Sequence, residues 1–137
     1  MGAAMAPAAA DSIISYFNLS GKNPRDFDFI VTGDLGAVGS DILAELLTEA
    51  RLSDAAKRHL DCGLLLYDRT SQDVHAGGSG CGCSASVLAS YFLPLLESGR
   101  IKNILFLSTG ALMSPQSVQQ GSSILGIAPL IHISAED

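Results

Sequence analysis

Apolar positions fall into two rhythms along this chain. Ile13, Ile14 and Phe17 share one face at helical spacing, with Pro7 suited to a first turn and Gly21 to a left-handed stop. Asn23-Pro24 marks a turn. Phe27 to Thr32 is aromatic and β-branched, which predicts a strand ending at Gly33-Asp34. Ser40 as N-cap and Asp41 as a first-turn anion then open a second helix carrying Ile42, Leu43, Leu46, Leu47 and Ala50. Ser53 caps a shorter helix holding Lys57 and Arg58. The unbroken apolar run Gly63–Tyr67 reads as a buried strand, and Asp68 to Gly82 as irregular and polar. A third helix is predicted from about Ala85 to Ser98, with Val87, Leu88, Tyr91, Phe92, Leu95 and Leu96 on a wide apolar face. Pro94 should kink it and Gly99 end it. Asn103 to Ser108 predicts a strand, Thr109 to Gly126 a long polar loop and Ile127 to Ile133 a last strand. Alternating strands and helices predict a layered α/β fold, a mixed sheet covered by helices, with the last two strands antiparallel because no helix separates them.

Composition narrows the class. The chain has 137 residues, enough for one domain with a core, and 47% of them are hydrophobic against 16% charged. A formal net charge of −6 with no gathered Lys or Arg excludes a nucleic-acid partner. No apolar run is long enough to predict a transmembrane helix, and the start lacks the basic region of a signal peptide. Three cysteines, two of them one residue apart, do not make a disulfide framework and predict reduced thiols. So lean a charged surface, and so abrupt a start, lead us to expect a half-domain whose faces are covered by something else.

The chemistry concentrates in Gly77-Gly78-Ser79-Gly80-Cys81-Gly82-Cys83-Ser84-Ala85, a nearly bare backbone emptying into a helix. Free amides and the helix dipole suit a small anion there, and close packing of helix on sheet suits the same glycines. Cysteine stands where a P-loop needs its lysine, so a nucleotide γ-phosphate loses its main cation. His75, Cys81 and Cys83, with Cys62, offer metal-ligand types, but Cys-x-Cys is not structural-zinc spacing, and no metal is expected. Cys81 or Cys83 could serve as a nucleophile at a helix N-terminus, with His75 or His132 as base. Gly33-Asp34 lies at a strand end, where α/β folds place ligand contacts; cap and turn are the plainer roles for Asp34. Thr109-Gly110 opens a loop whose hydroxyls and amides suit a polar pocket or a solvated surface equally. The candidate binding residues are therefore Gly33, Asp34, His75, Gly78, Gly80, Cys81, Gly82, Cys83 and Thr109.

Four stretches in this order resemble the C-terminal part of the stage V sporulation protein AD family, thiolase-fold proteins of spore-forming bacteria. They are Gly2–Ala9, Thr32–Gly36, Gly77–Ala85, and Thr109–Leu112 with Ser114-Pro115, and they span nearly the whole chain. The resemblance implies the second half of a pseudo-twofold thiolase-like fold. Ketoacyl synthases of similar fold carry a catalytic histidine just after the strand corresponding to Phe27–Thr32, where this sequence has Gly33-Asp34. They carry an asparagine, and thiolases a histidine, in the loop that here reads Gly80-Cys81-Gly82-Cys83. Glycine cannot stabilise a thioester oxyanion and aspartate would repel it, so the resemblance implies binding without condensing chemistry. The implied ligand is dipicolinic acid (pyridine-2,6-dicarboxylate) or its calcium chelate, taken up into the developing spore. The implied partners are other stage V sporulation membrane proteins of the same operon and further copies of the chain. The implied place is the cytoplasm or the periphery of the forespore inner membrane. An acyltransferase using Cys81 or Cys83, and a scaffold for the membrane partners, are the alternatives.

Overall fold

A computed structural model describes residues 1–110, 114–123 and 126–135. Four strands form one sheet in the order β2-β1-β3-β4. β1 (Phe29–Thr32) pairs in parallel with β2 (His59–Asp61) on one side and β3 (Asn103–Leu107) on the other. β4 (Leu130–Ser134) closes the far edge antiparallel to β3, as the missing helix between them predicts.

Alternation along the two central strands divides the core. Ile30, Leu105 and Leu107 face α1 (Gly2–Ser20) and α2 (Gly36–Glu49), joined by Met5, Ile13, Phe17, Leu43 and Leu47. Val31, Ile104 and Phe106 face the opposite layer, with Cys62, Cys83, Val87, Phe92 and Leu96. Each fully buried aliphatic side chain is worth about 1.5–3 kcal/mol. Helices thus cover both faces of the sheet, and the α/β class holds.

Several boundaries differ from the sequence reading, each for a physical reason. α1 begins at Gly2, so Pro7 sits in its second turn on the solvent side, where the helix forgoes one N–H bond; Gly21 ends it at φ 66 as expected. α2 begins at Gly36, four residues before Ser40, whose hydroxyl is buried with no partner among the described residues. The cap comes instead from across the fold: Asp61 accepts the amides of Leu35 (2.8 Å) and Gly36 (3.0 Å). α3 (Ser53–Lys57) holds Ser53 as its first residue and not as its cap.

The largest correction concerns Gly63–Tyr67. This apolar run is not a strand. The strand is the preceding His59–Asp61, and the run enters the short helix α4 (Cys62–Leu65), leaving Leu65, Leu66 and Tyr67 partly exposed. The third helix is continuous from Cys83 but not uniform: α5 (Cys83–Val87), a π turn (Leu88–Phe92) and α6 (Leu93–Glu97). The wider turn absorbs Pro94, which has no N–H to give the preceding turn, and Leu93 bonds back to the Leu88 carbonyl. Within the predicted final loop, Ser114 caps α7 (Pro115–Gln119), and the last strand begins at Leu130, three residues later than expected. Ala111 and Leu112, part of the quoted Thr109–Leu112 stretch, lie outside the described residues.

Candidate functional site

Beyond the carboxyl ends of β1 and β3 opens a cleft of about 420 Å³. Open parallel sheets place ligand contacts at such a position, because successive loops diverge there. Asp34 follows β1, Thr109 and Gly110 follow β3, and Ser79, Gly80, Cys81 and Ser84 arrive from the glycine-rich stretch. Three segments distant in sequence therefore meet.

Asp34 ties them together. Its amide donates to the Thr109 hydroxyl oxygen (2.9 Å), whose own proton faces the Asp34 Oδ1 at 3.4 Å. Oδ2 accepts from the Ser79 hydroxyl (3.0 Å) and the Gly80 amide (3.3 Å). This carboxylate is more than a helix cap or turn residue; it fixes the loops that form the walls. Gly33 lies against Thr109, where an added Cβ would stand 3.0 Å from the hydroxyl.

The glycines divide between the two roles the sequence left open. Gly77 and Gly78 serve close packing: the Gly78 amide donates to the Gly63 carbonyl (2.7 Å), and an added Cβ on Gly77 would stand 2.7 Å from the same oxygen. Gly80 and Gly82 face open space. Ser84, at the start of α5, lines the cleft.

His75 lies apart, on the outer loop, with its side chain 90% exposed and 3.8 Å from Asp73. His132 bonds to Asn103 (3.0 Å) toward the amino end of β3, away from the cleft. Cys83 is buried behind the cleft, its thiol donating to the Gly33 carbonyl at 3.8 Å. Burial, then the nearby Asp34 and Asp61, pushes its pKa up. Cys62 is pushed up to about 12, chiefly by burial. Among the described residues, no three His, Cys, Asp or Glu side chains gather as metal ligands. No Lys, Arg or His side chain lines the cleft either, among the described residues; Met1 is on its wall.

The residue that the sequence reading missed is Asp61. It is 2% exposed and takes the Thr32 hydroxyl proton (2.7 Å) besides the two amides of α2. Because Thr32 spends its proton on Asp61, its oxygen must accept from His59 Nε2 (2.7 Å), which assigns the His59 tautomer. Burial holds His59 below its ordinary pKa, consistent with a neutral ring. Ala37 donates in turn to the Ala76 carbonyl (2.9 Å), so three successive amides at the start of α2, those of Leu35, Gly36 and Ala37, bond within the fold. The Gly33–Gly36 loop contributes to the cleft through Asp34.

Fold and site together define an α/β chain with a polar cleft at the carboxyl ends of its strands, in which no histidine bonds to a thiol among the described residues. The family model for stage V sporulation protein AD matches residues 1–134. Stage V sporulation protein AD of Bacillus subtilis (strain 168) is 46% identical over 128 residues, which are 93% of this chain and 37% of that relative. The chain belongs to the stage V sporulation protein AD family, and it spans little more than a third of the relative's length. Among the described residues, no helix is long and apolar enough to cross a membrane.

Proposed function

We propose that this chain forms part of a non-catalytic binding protein of spore formation, with a thiolase-like half-fold, whose ligand is dipicolinic acid or its calcium chelate. One observation carries the non-catalytic reading. The cleft offers hydroxyls, bare backbone, a tethered carboxylate and the exposed Cys81 with no histidine on the wall among the described residues, while the buried Cys83 behind it is made less acidic by its surroundings. An acyltransferase needs the opposite, a thiol made more acidic beside a base. By the resemblance, Gly33-Asp34 would stand where condensing enzymes of similar fold keep a histidine, and a carboxylate there would oppose a developing oxyanion.

The same carboxylate bears on the ligand. A dianion approaching Asp34 where no Lys, Arg or His side chain lines the cleft, among the described residues, gains from a cation carried between them, which favours the chelate over free dipicolinate. A second reading, a scaffold for membrane partners of the same operon at the forespore membrane, draws on the partly exposed Leu65, Leu66, Tyr67 and Tyr91 beside the cleft-forming helix.

The test is calorimetric titration of dipicolinate, with and without calcium, into this chain and into the full-length Bacillus subtilis relative. Saturable binding at or below about millimolar, near −4 kcal/mol, is expected at least for the full-length protein. Binding strengthened by calcium supports the chelate. No heat from either protein would overturn the binding reading and leave the scaffold ahead.

A further inference from the structure

We infer that Asp61, which does not itself line the cleft, is the positioning residue that fixes where the cleft's carboxylate stands. The argument is a chain of hydrogen bonds running in one direction. Asp61 sits at the end of β2, buried, and among the described residues no Lys or Arg pairs with it. A buried carboxylate without a cation persists only when donors surround it, and here three do: the Thr32 hydroxyl and the amides of Leu35 and Gly36. Those two amides directly follow Asp34. Holding them sets the path of the turn, and hence the direction in which Asp34 leaves it. Asp34 then holds Ser79, Gly80 and Thr109. A single buried anion on the edge strand thereby orders all three segments of the wall.

The surroundings leave Asp61 little freedom. The Thr32 hydroxyl is fixed from behind by His59. An added Cβ on Gly63 would stand 3.0 Å from Asp61 Oδ2 and closer still to the Gly78 carbonyl, so the glycine stretch packs directly over the carboxylate. The consequence for ligand affinity rests on the binding reading above; the positioning does not.

Amide hydrogen exchange followed by NMR on this chain tests it, comparing wild type with Asp61→Ala and Asp61→Asn. In Asp61→Ala the amides of Leu35, Gly36 and Gly80 should exchange at least tenfold faster, while the strand amides of Ile30 and Leu105 keep their rates. Asparagine has one carbonyl oxygen, which can keep Thr32 and Leu35 but turns an NH2 toward Gly36. Asp61→Asn should therefore accelerate Gly36 and Gly80 and spare Leu35, and it serves alone if the alanine variant does not fold. Dipicolinate affinity, measured with calcium, should fall at least tenfold in Asp61→Ala and partly recover in Asp61→Asn. Equal acceleration of loop and strand amides would overturn the inference, since Asp61 would then only stabilise the fold. So would an unchanged Gly80. If wild type binds no dipicolinate, the ligand reading fails while the contrast between Gly80 and Ile30 still decides the positioning.

Discussion

Three thiols lie within one region of this molecule and meet three environments. Cys62 is fully buried at the start of α4, and burial, reinforced by Asp61, Cys83 and Asp34, raises its pKa to about 12. Cys83 is buried against Gly33, and its pKa is likewise raised by burial, then by the two carboxylates. Cys81, two residues away, is exposed on the cleft wall. The thiolate is the reacting species, and a raised pKa lowers its share at any given pH, so the sign is toward inertness for both buried residues. Iodoacetamide near pH 7.5 should therefore label Cys81 first, with Cys62 and Cys83 at least tenfold slower. Peptide mapping after timed quenching reads this directly. Cys83 reacting as fast as Cys81 at neutral pH would revive the acyltransferase alternative.

At the scale of elements, the short helix α4 and the loop above it explain why the glycines cannot all be treated alike. An alanine at Gly63 would drive its methyl into the Gly78 carbonyl and against Asp61, and neither backbone nor buried carboxylate can move aside cheaply. Gly63→Ala should cost about 1–3 kcal/mol, as other overpacked substitutions do. Gly82 has φ −94 and nothing within 4 Å of an added Cβ, so Gly82→Ala should change stability by less than about 0.5 kcal/mol. Urea unfolding of the two variants checks the contrast, and equal effects would mean the glycine stretch does not pack as described. The same region shows what the sequence could convey. β1 and β3 are legible because both their faces are buried: β1 is aromatic and β-branched, and β3 is the unbroken apolar run Ile104-Leu105-Phe106-Leu107. β2 is not: His59 and Asp61 give their side chains to a polar network with Thr32, leaving no apolar alternation to read. The apolar run beside it, Gly63–Tyr67, drew the strand assignment instead. Asp34, Gly80, Cys81 and Thr109 could be singled out by their place at strand ends and in a glycine-rich loop. Asp61 could not, since its role depends on partners more than twenty residues away, and the expected cap at Ser40 failed for the same reason.

The whole molecule carries more apolar surface on one side than its low charge can keep dispersed. From Cys83 to Leu96 the helical stretch contains no charged residue, and Tyr91 and Leu93 on it are 48% and 37% exposed. Leu65, Leu66 and Tyr67 extend the same side, with Leu65 and Leu66 meeting Val87 and Tyr91 across a shallow groove. At the other end of the sheet, β4 pairs with β3 alone among the described residues, and Ile131 on it is 54% exposed. Free strand edges and apolar helix faces both favour association, the first through backbone hydrogen bonds and the second through buried area. We therefore expect self-association of this chain, with a dissociation constant of about 10 μM or tighter, near −7 kcal/mol. A net charge of −6 opposes it at low ionic strength, so added salt should strengthen the contact by screening. Sedimentation velocity across a concentration series at two salt levels measures both effects. Tyr91→Lys together with Leu66→Lys should return the chain to a monomer if the helix side carries the contact, because two added charges would have to be buried. Substitution of Ile131 by Lys should do so if the strand edge carries it. A wild-type chain that stays monomeric at high concentration would show that neither face drives association, and the scaffold reading would lose the surface on which it depends.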